Sequence, residues 1–204
     1  AVRLFSALLF GAPRGGTLFV TPGEAIRNSL LFGILATAIA LPLGLLASSV
    51  VAYRRNRVGR TFDGLLMLPL GTSAVTIGFG FLVALDEPPL DLRTSVLLIP
   101  LAHALVAVPF VVRAISPVMR AIDRRLREAA AVLGASPARA WREVDLPIVS
   151  RAAVVGAGFA FAVSLGEFGA TTFIARPDAP TLPVAIFRLL GQPGAINFGM
   201  AMAM

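Results

Sequence analysis

Apolar residues gather into four long runs, at about 28–52, 62–85, 94–115 and 152–174, parted by short charged stretches. Each is about 20 residues long, the length a helix needs to cross a hydrocarbon core. A fifth run opens near 195 and is still apolar at Met204, while residues 1–10 read as the tail of an earlier span. The pattern predicts an all-α, polytopic membrane protein. An N-terminal remnant and external loop are expected over 1–27, and a transmembrane helix bundle over 28–204. The chain starts without Met and stops inside an apolar run, so it reads as a fragment, with no cleavable signal peptide at its start.

The polar stretches give a topology of their own. Arg54, Arg55, Arg57 and Arg60 follow the first run, and a second arginine-rich loop spans 113–151. Two runs separate these loops, so they share a face. Asp86, Glu87 and Asp91 lie one run away from each, on the opposite face. Twelve of the 18 basic residues sit in the two arginine loops, and the positive-inside rule places those in the cytoplasm.

Composition supports lipid rather than water as the main solvent. The chain is 57% hydrophobic and 14% charged, against about a quarter charged in a soluble domain. Its mean hydropathy is +0.84. All 18 basic residues are arginine, giving a net charge of +7. Their concentration in loops between apolar runs fits membrane orientation better than a nucleic-acid-binding face. No cysteine is present, so thiolate chemistry and disulfides are excluded. Pro42, Pro69, Pro100 and Pro109, with glycines at 33, 44, 71, 78, 80, 156, 158 and 166, fall inside the runs. Small residues and prolines of this kind serve close helix packing in a bundle.

The loop after the third run has internal structure. Val118, Ile122, Leu126, Ala129 and Leu133 recur at helical spacing, with Arg120, Arg124 and Arg127 on another face, which predicts an amphipathic helix over 117–133. Ser116-Pro117 is expected to break it from the preceding span, and an Asp123–Arg127 pair to support it. Gly134 is placed to end it in a left-handed turn. Ser136 is an N-cap followed by Pro137 at the first helical position, opening a second helix that carries Trp141 and stops at Leu146-Pro147. Two readings fit: a helix lying on anionic lipid, or a hinged elbow whose small residues enter a partner's groove.

Glu128-Ala129-Ala130, three residues, Gly134, nine residues, then Val144, Asp145, Leu146 and Pro147 resembles the signature loop of the membrane subunits of bacterial ATP-binding-cassette importers. Val144 stands where that pattern usually has isoleucine. Asn28-Ser29-Leu30-Leu31, Arg54-Arg55, the stretch Pro109 to Arg113 and the stretch Ser164 to Ala170 are also similar to that family, so the resemblance covers about 28–204. The tail over 176–191 most resembles the ferric iron and thiamine permeases, as the second of two repeats. The resemblance implies a coupling loop made of Glu128, Ala129, Ala130, Leu133, Gly134, Ala135, Ser136, Val144, Leu146 and Pro147. It also implies a bacterial inner-membrane location and three partners: a separate ATPase subunit, an extracytoplasmic substrate-binding protein and a second permease half, fused or separate. Ferric iron is the expected substrate, with thiamine or another small solute or anion as the alternative. No cofactor is expected, because ATP would be bound by the partner; this chain has no lysine for a phosphate loop.

Few residues inside the runs carry chemistry. Glu167, near the outer end of the fourth run, is costly at membrane depth and so is a candidate for a path or gate, or for pairing with a neighbouring helix. Thr72 and Ser73, with Thr76, are weaker path candidates, since hydroxyls in spans usually bond back to their own helix. His103, the only histidine, reads as a packing or hydrogen-bonding residue and cannot build a zinc site alone. The segment 181–197 is too broken to span and reads as a short external helix or re-entrant cap, a surface for the binding protein. An intramembrane enzyme lacks its constituents here, so the chain is read as not an enzyme. An ATP-independent channel or secondary transporter leaves the elbow unexplained.

Overall fold

A computed structural model describes residues 21–204 except 55, 87–91 and 94. The expectations for 1–20 and for most of the acidic outer loop lie outside the described residues. All regular structure among the described residues is helical: α1 (Pro22–Tyr53), α2 (Arg57–Gly71), α3 (Ala74–Ala84), α4 (Leu98–Ala121), α5 (Arg124–Val132), α6 (Pro137–Ala140), a π-helical turn (Trp141–Asp145), α7 (Leu146–Gly166), α8 (Thr171–Ile174), α9 (Leu182–Leu190) and α10 (Ala195–Ala203). Three helical stretches are long and apolar enough to cross a membrane: Pro22–Tyr53, Leu98–Ala121 and Pro137–Gly166. The bent pair α2–α3 makes a fourth if it is one span.

The first helix starts earlier than its apolar run because its N-terminus is capped. The Thr21 side chain accepts from the Glu24 N–H, and the Glu24 carboxylate accepts from the Thr21 N–H at 2.7 Å. That reciprocal pair satisfies two of the orphan donors of the first turn. Further along α1, Ser29, Gly33, Ala36, Ala40, Gly44, Ala47 and Ser48 form a buried stripe of small residues. The stripe lets α4 and α7 approach closely. Packing and dispersion hold helices together where lipid removes the hydrophobic drive.

Val111 of α4, fully buried, is the pin of that three-helix core. A Cβ at Gly44 of α1 would lie 2.4 Å from its Cγ1, and one at Gly156 of α7 would meet its Cα at 3.4 Å. Overfilling a packed site of this kind costs about 1–3 kcal/mol. Gly44→Val is therefore expected to lower the melting temperature of the purified protein, and Val111→Ala in the same chain to recover part of the loss. Full stability of the single variant would show that α1 and α4 are not so closely packed.

Four expectations are corrected. The run 62–85 is two helices meeting at 101°. Pro69 lacks an N–H to continue the ladder, and the Thr72 hydroxyl donates to the Leu68 carbonyl at 2.8 Å. Ser73 then takes an extended conformation and starts α3. Pro117 does not break the chain: α4 continues to Ala121, because Ile115, Ser116 and Met119 are buried and hold the helix through the proline. The break falls instead at Ile122-Asp123, both extended, so the predicted helix over 117–133 is the end of α4 plus α5. Finally, Leu146-Pro147 does not stop the helix begun at Pro137. Pro147 offers no N–H and crowds the carbonyl four residues back. The chain widens there into the π turn and runs on to Gly166, short of the expected end at 174.

At the outer end, α3 lies on the segment that follows α7. A Cβ at Gly78 would fall within 2.6 Å of the Ala170 Cα, and one at Gly169 would lie 2.7 Å from the Ala74 Cβ. The start of α9 is tied to α1: the Ser29 hydroxyl accepts from the Leu182 N–H at 2.7 Å, and the Asn28 amide donates to the Pro180 carbonyl.

Candidate functional site

The arginine-rich end of the bundle carries the elbow, built from α5, a turn and α6. Asp123 opens α5, its carboxylate accepting from the Arg125 N–H at 2.9 Å. At the other end the Gly134 N–H donates to the Ala131 carbonyl and the Ala135 N–H to the Ala130 carbonyl, both at 2.9 Å. This pair of bonds is a Schellman turn, and it needs the positive φ of +83° that Gly134 adopts. The Ser136 hydroxyl then accepts from the Arg139 N–H, with Pro137 at the first position of α6. Glu128, Ala129, Ala130, Gly134, Ala135 and Ser136 are thus brought together on one compact corner.

The apolar face expected of this helix is not packed against the protein. No residue of α5 is buried. Val132 and Leu133 are each 87% exposed, and Leu126 is 47% exposed. Glu128 is also exposed and pairs with Arg124 at 3.0 Å. Val144 and Leu146 are half-buried at the base of the corner, with Pro147 exposed. The elbow therefore presents two bare aliphatic side chains at the tip of a rigid turn.

A charged latch fixes the elbow to the bundle. The Arg127 Nε donates to both Asp145 carboxylate oxygens at 2.9 Å. Its Nη2 donates to the Tyr53 hydroxyl at 2.5 Å, and the guanidinium lies 4.7 Å from the Tyr53 ring centroid. Asp145 is 3% exposed, turned inward by the π turn. One arginine thereby joins α5, the entry to α7 and the last residue of α1. The predicted Asp123–Arg127 pair does not form, because the carboxylate at 123 caps its own helix and Arg127 is taken by Asp145. Neither Asp145 nor Tyr53 was singled out from sequence. The usable signal for Asp145 was a lone carboxylate between the aliphatic residues Val144 and Leu146.

A second polar cluster lies deep near the other end. The Glu167 carboxylate, 6% exposed, accepts from the Ala170 N–H and the Thr171 N–H at 3.0 Å and from the Thr171 hydroxyl at 2.6 Å. His103 sits 2.6 Å from Ser164 Oγ through Nδ1 and 2.7 Å from Thr171 Oγ1 through Nε2. Its Nε2 is 3.6 Å from the Glu167 carboxylate. With a neutral imidazole protonated at Nε2, the protons run Ser164 to His103 to Thr171 to Glu167, each used once. Glu167 thus supplies acceptors for the turn after α7, and His103 ties that turn to α4. Thr72 and Ser73 are exposed at the α2–α3 bend, form no hydrogen bond to this cluster, and Thr72 is bonded to its own helix. No group of three or more His, Asp or Glu side chains that would hold a metal occurs among the described residues.

Comparison with known proteins bears on the bundle as a whole. Residues 40–202 match the family described as binding-protein-dependent transport system inner membrane component. A molybdenum transport system permease protein, ModB, of Haemophilus influenzae is 34% identical over 187 residues, covering 84% of this chain and 81% of the relative. A putative 2-aminoethylphosphonate transport system permease protein, PhnV, of Salmonella paratyphi A is 31% identical over 179 residues, covering 88% of this chain and 67% of that protein. A probable ABC transporter permease protein, y4fN, of Sinorhizobium fredii is 31% identical, the match spanning 84% of this chain and 30% of the relative. The chain belongs to the binding-protein-dependent transport system inner membrane component family: it is a multi-pass inner-membrane permease subunit of the bacterial ATP-binding-cassette importer type.

Proposed function

We propose that the elbow, residues 124–147, seats in a groove of a separate ATPase subunit and moves the bundle between inward-open and outward-open states as that subunit cycles. The observation that carries this reading is the pair of bare aliphatic side chains, Val132 and Leu133, on a turn fixed by the Schellman bonds of Gly134 and Ala135. Two such side chains, left in water at the end of a helix with no buried residue, are a docking tip for a protein pocket. The family's dependence on a binding protein supplies the second partner, which would meet the outer face, where α9 and the loop before it lie. A second permease half, fused or separate, completes the path. ATP stays with the partner.

For the cargo, the tail of the sequence points to ferric iron or thiamine, while the relatives are named for 2-aminoethylphosphonate and molybdenum. The latter favour the small-anion alternative over ferric iron. Uptake by cells expressing the full system, offered labelled ferric iron, thiamine, 2-aminoethylphosphonate and molybdate separately, decides among them.

The coupling role is tested with Val132→Asp and Leu133→Asp in the assembled transporter. Each removes an apolar contact worth about 1.5–3 kcal/mol when buried. Co-purification of the ATPase is therefore expected to weaken at least about tenfold, with the melting temperature of the permease unchanged, since neither side chain touches the bundle. Undiminished association and transport in both variants would overturn the assignment.

A further inference from the structure

At the arginine-rich end, where α1 hands over to α2, a cavity of about 340 Å³ is lined by Val51, Arg54, Gly59, Arg60, Asp63 and Arg120. Its shape depends on a close crossing: a Cβ at Gly59 would lie 1.8 Å from the Arg54 carbonyl oxygen. Three arginines and one aspartate line it, a net of two positive charges. Among the described residues neither Arg54 nor Arg60 forms an ion pair. Arg120 is held by a bond from its Nη2 to the Val51 carbonyl at 3.1 Å, which aims its guanidinium across the end of α1.

Directly above lies an apolar groove of about 590 Å³ between α1, α2 and α4, lined by side chains that include Leu43, Leu46, Val50, Phe62, Leu65 and Leu105. The two cavities are neighbours on both helices, lined by consecutive residues. Val50 lines the groove and Val51 the charged cavity, while Phe62 lines the groove and Asp63 the cavity. An arginine cavity beside a groove of bare hydrocarbon matches one kind of molecule: a phosphate carrying an acyl chain.

We propose that these two neighbouring cavities together bind an anionic phospholipid of the phosphatidylglycerol class. The phosphate lies among Arg54, Arg60 and Arg120, whose planar guanidiniums suit bidentate phosphate contact. A headgroup hydroxyl donates to Asp63, and an acyl chain fills the groove. Basic cavities between helices on the cytoplasmic side take anionic headgroups for this reason. A protein helix is the poorer occupant. Helices pack in membranes through small residues, and the small-residue stripe of α1 is already spent on α4 and α7, whereas the groove is walled by large, flexible side chains. A lipid here would brace α1 beside Tyr53 and α4 two residues before its break, the two helix ends from which the elbow hangs.

The test is native mass spectrometry of the full-length permease released from nanodiscs containing equal phosphatidylglycerol and phosphatidylcholine. Wild type should retain one phosphatidylglycerol in preference to phosphatidylcholine. Arg54→Gln with Arg60→Gln should cut that retention about tenfold, and Val50→Trp should cut it while leaving the arginines in place. Inorganic phosphate at millimolar concentration should not displace the lipid. Equal retention of both lipids, no change in either variant, competition by inorganic phosphate alone, or cross-linking from the Leu46 position to a protein segment would each overturn the proposal. The result does not depend on the ATPase, so it can fail while the coupling role stands.

Discussion

Glu167→Ala is expected to destabilise the protein by about 4 kcal/mol and to lower its melting temperature by about 10 °C. The carboxylate is the acceptor for two backbone N–H groups and the Thr171 hydroxyl in a site from which water is shut out. Removing it leaves the two N–H groups without acceptors, at about 1–3 kcal/mol each, and leaves the Thr171 hydroxyl only the residue-167 carbonyl at 3.4 Å. Glu167→Gln keeps one oxygen acceptor but turns an amide N–H₂ toward donors, so it should fall between alanine and wild type. His103→Leu should cost less, about 1–3 kcal/mol, because Thr171 and the backbone keep Glu167, while Ser164 loses its acceptor and Thr171 loses one donor. Thermal inactivation in detergent, read by size-exclusion recovery, gives the order. If Glu167→Ala melts like wild type but abolishes uptake, the carboxylate acts on the permeant and its bracing role is wrong.

Local chemistry was legible in the sequence; tertiary partnership was not. Gly134, Ser136 and Pro137 were readable because a left-handed turn, a hydroxyl cap and a fixed φ are demands of the residue's own backbone. The loops of arginine were readable for a similar reason, since charge cannot stay in hydrocarbon. Pro117 misled because a proline's effect depends on what surrounds it, and the buried face of α4 carries the helix through. The same dependence split the second run at Thr72-Ser73, where little packs against α2 to hold it straight. Arg127 was matched to Asp123 by helical spacing, yet its partner is 18 positions on, delivered by a π turn that spacing rules do not contain. The His103–Glu167 cluster joins positions 64 apart on different helices, and only the fold puts them within 3.6 Å.

Breaking the latch from either side should have unequal effects, and the inequality identifies its role. Asp145 is 4% exposed at its side chain and Arg127 is 30% exposed. Arg127→Met strands a buried carboxylate with no other side-chain partner among the described residues, which costs about 3–5 kcal/mol. Asp145→Ala leaves a guanidinium that is already part-exposed and keeps its stacking and hydrogen bond at Tyr53, so about 1–2 kcal/mol is lost. The double variant Arg127→Met with Asp145→Leu should recover most of the stability, because neither charge then remains in the interior. Function should not recover with it. Without the latch, α5 is joined to the bundle only through the extended residues 122–123 and the turn at Gly134, so a push on the elbow tip would bend those hinges before it moved α1. In reconstituted vesicles the double variant should therefore hydrolyse ATP with the partner subunit bound and import little substrate. Import at the wild-type rate from a stably folded double variant would mean that force reaches the spans by another route, along the continuous helix from Pro137 to Gly166.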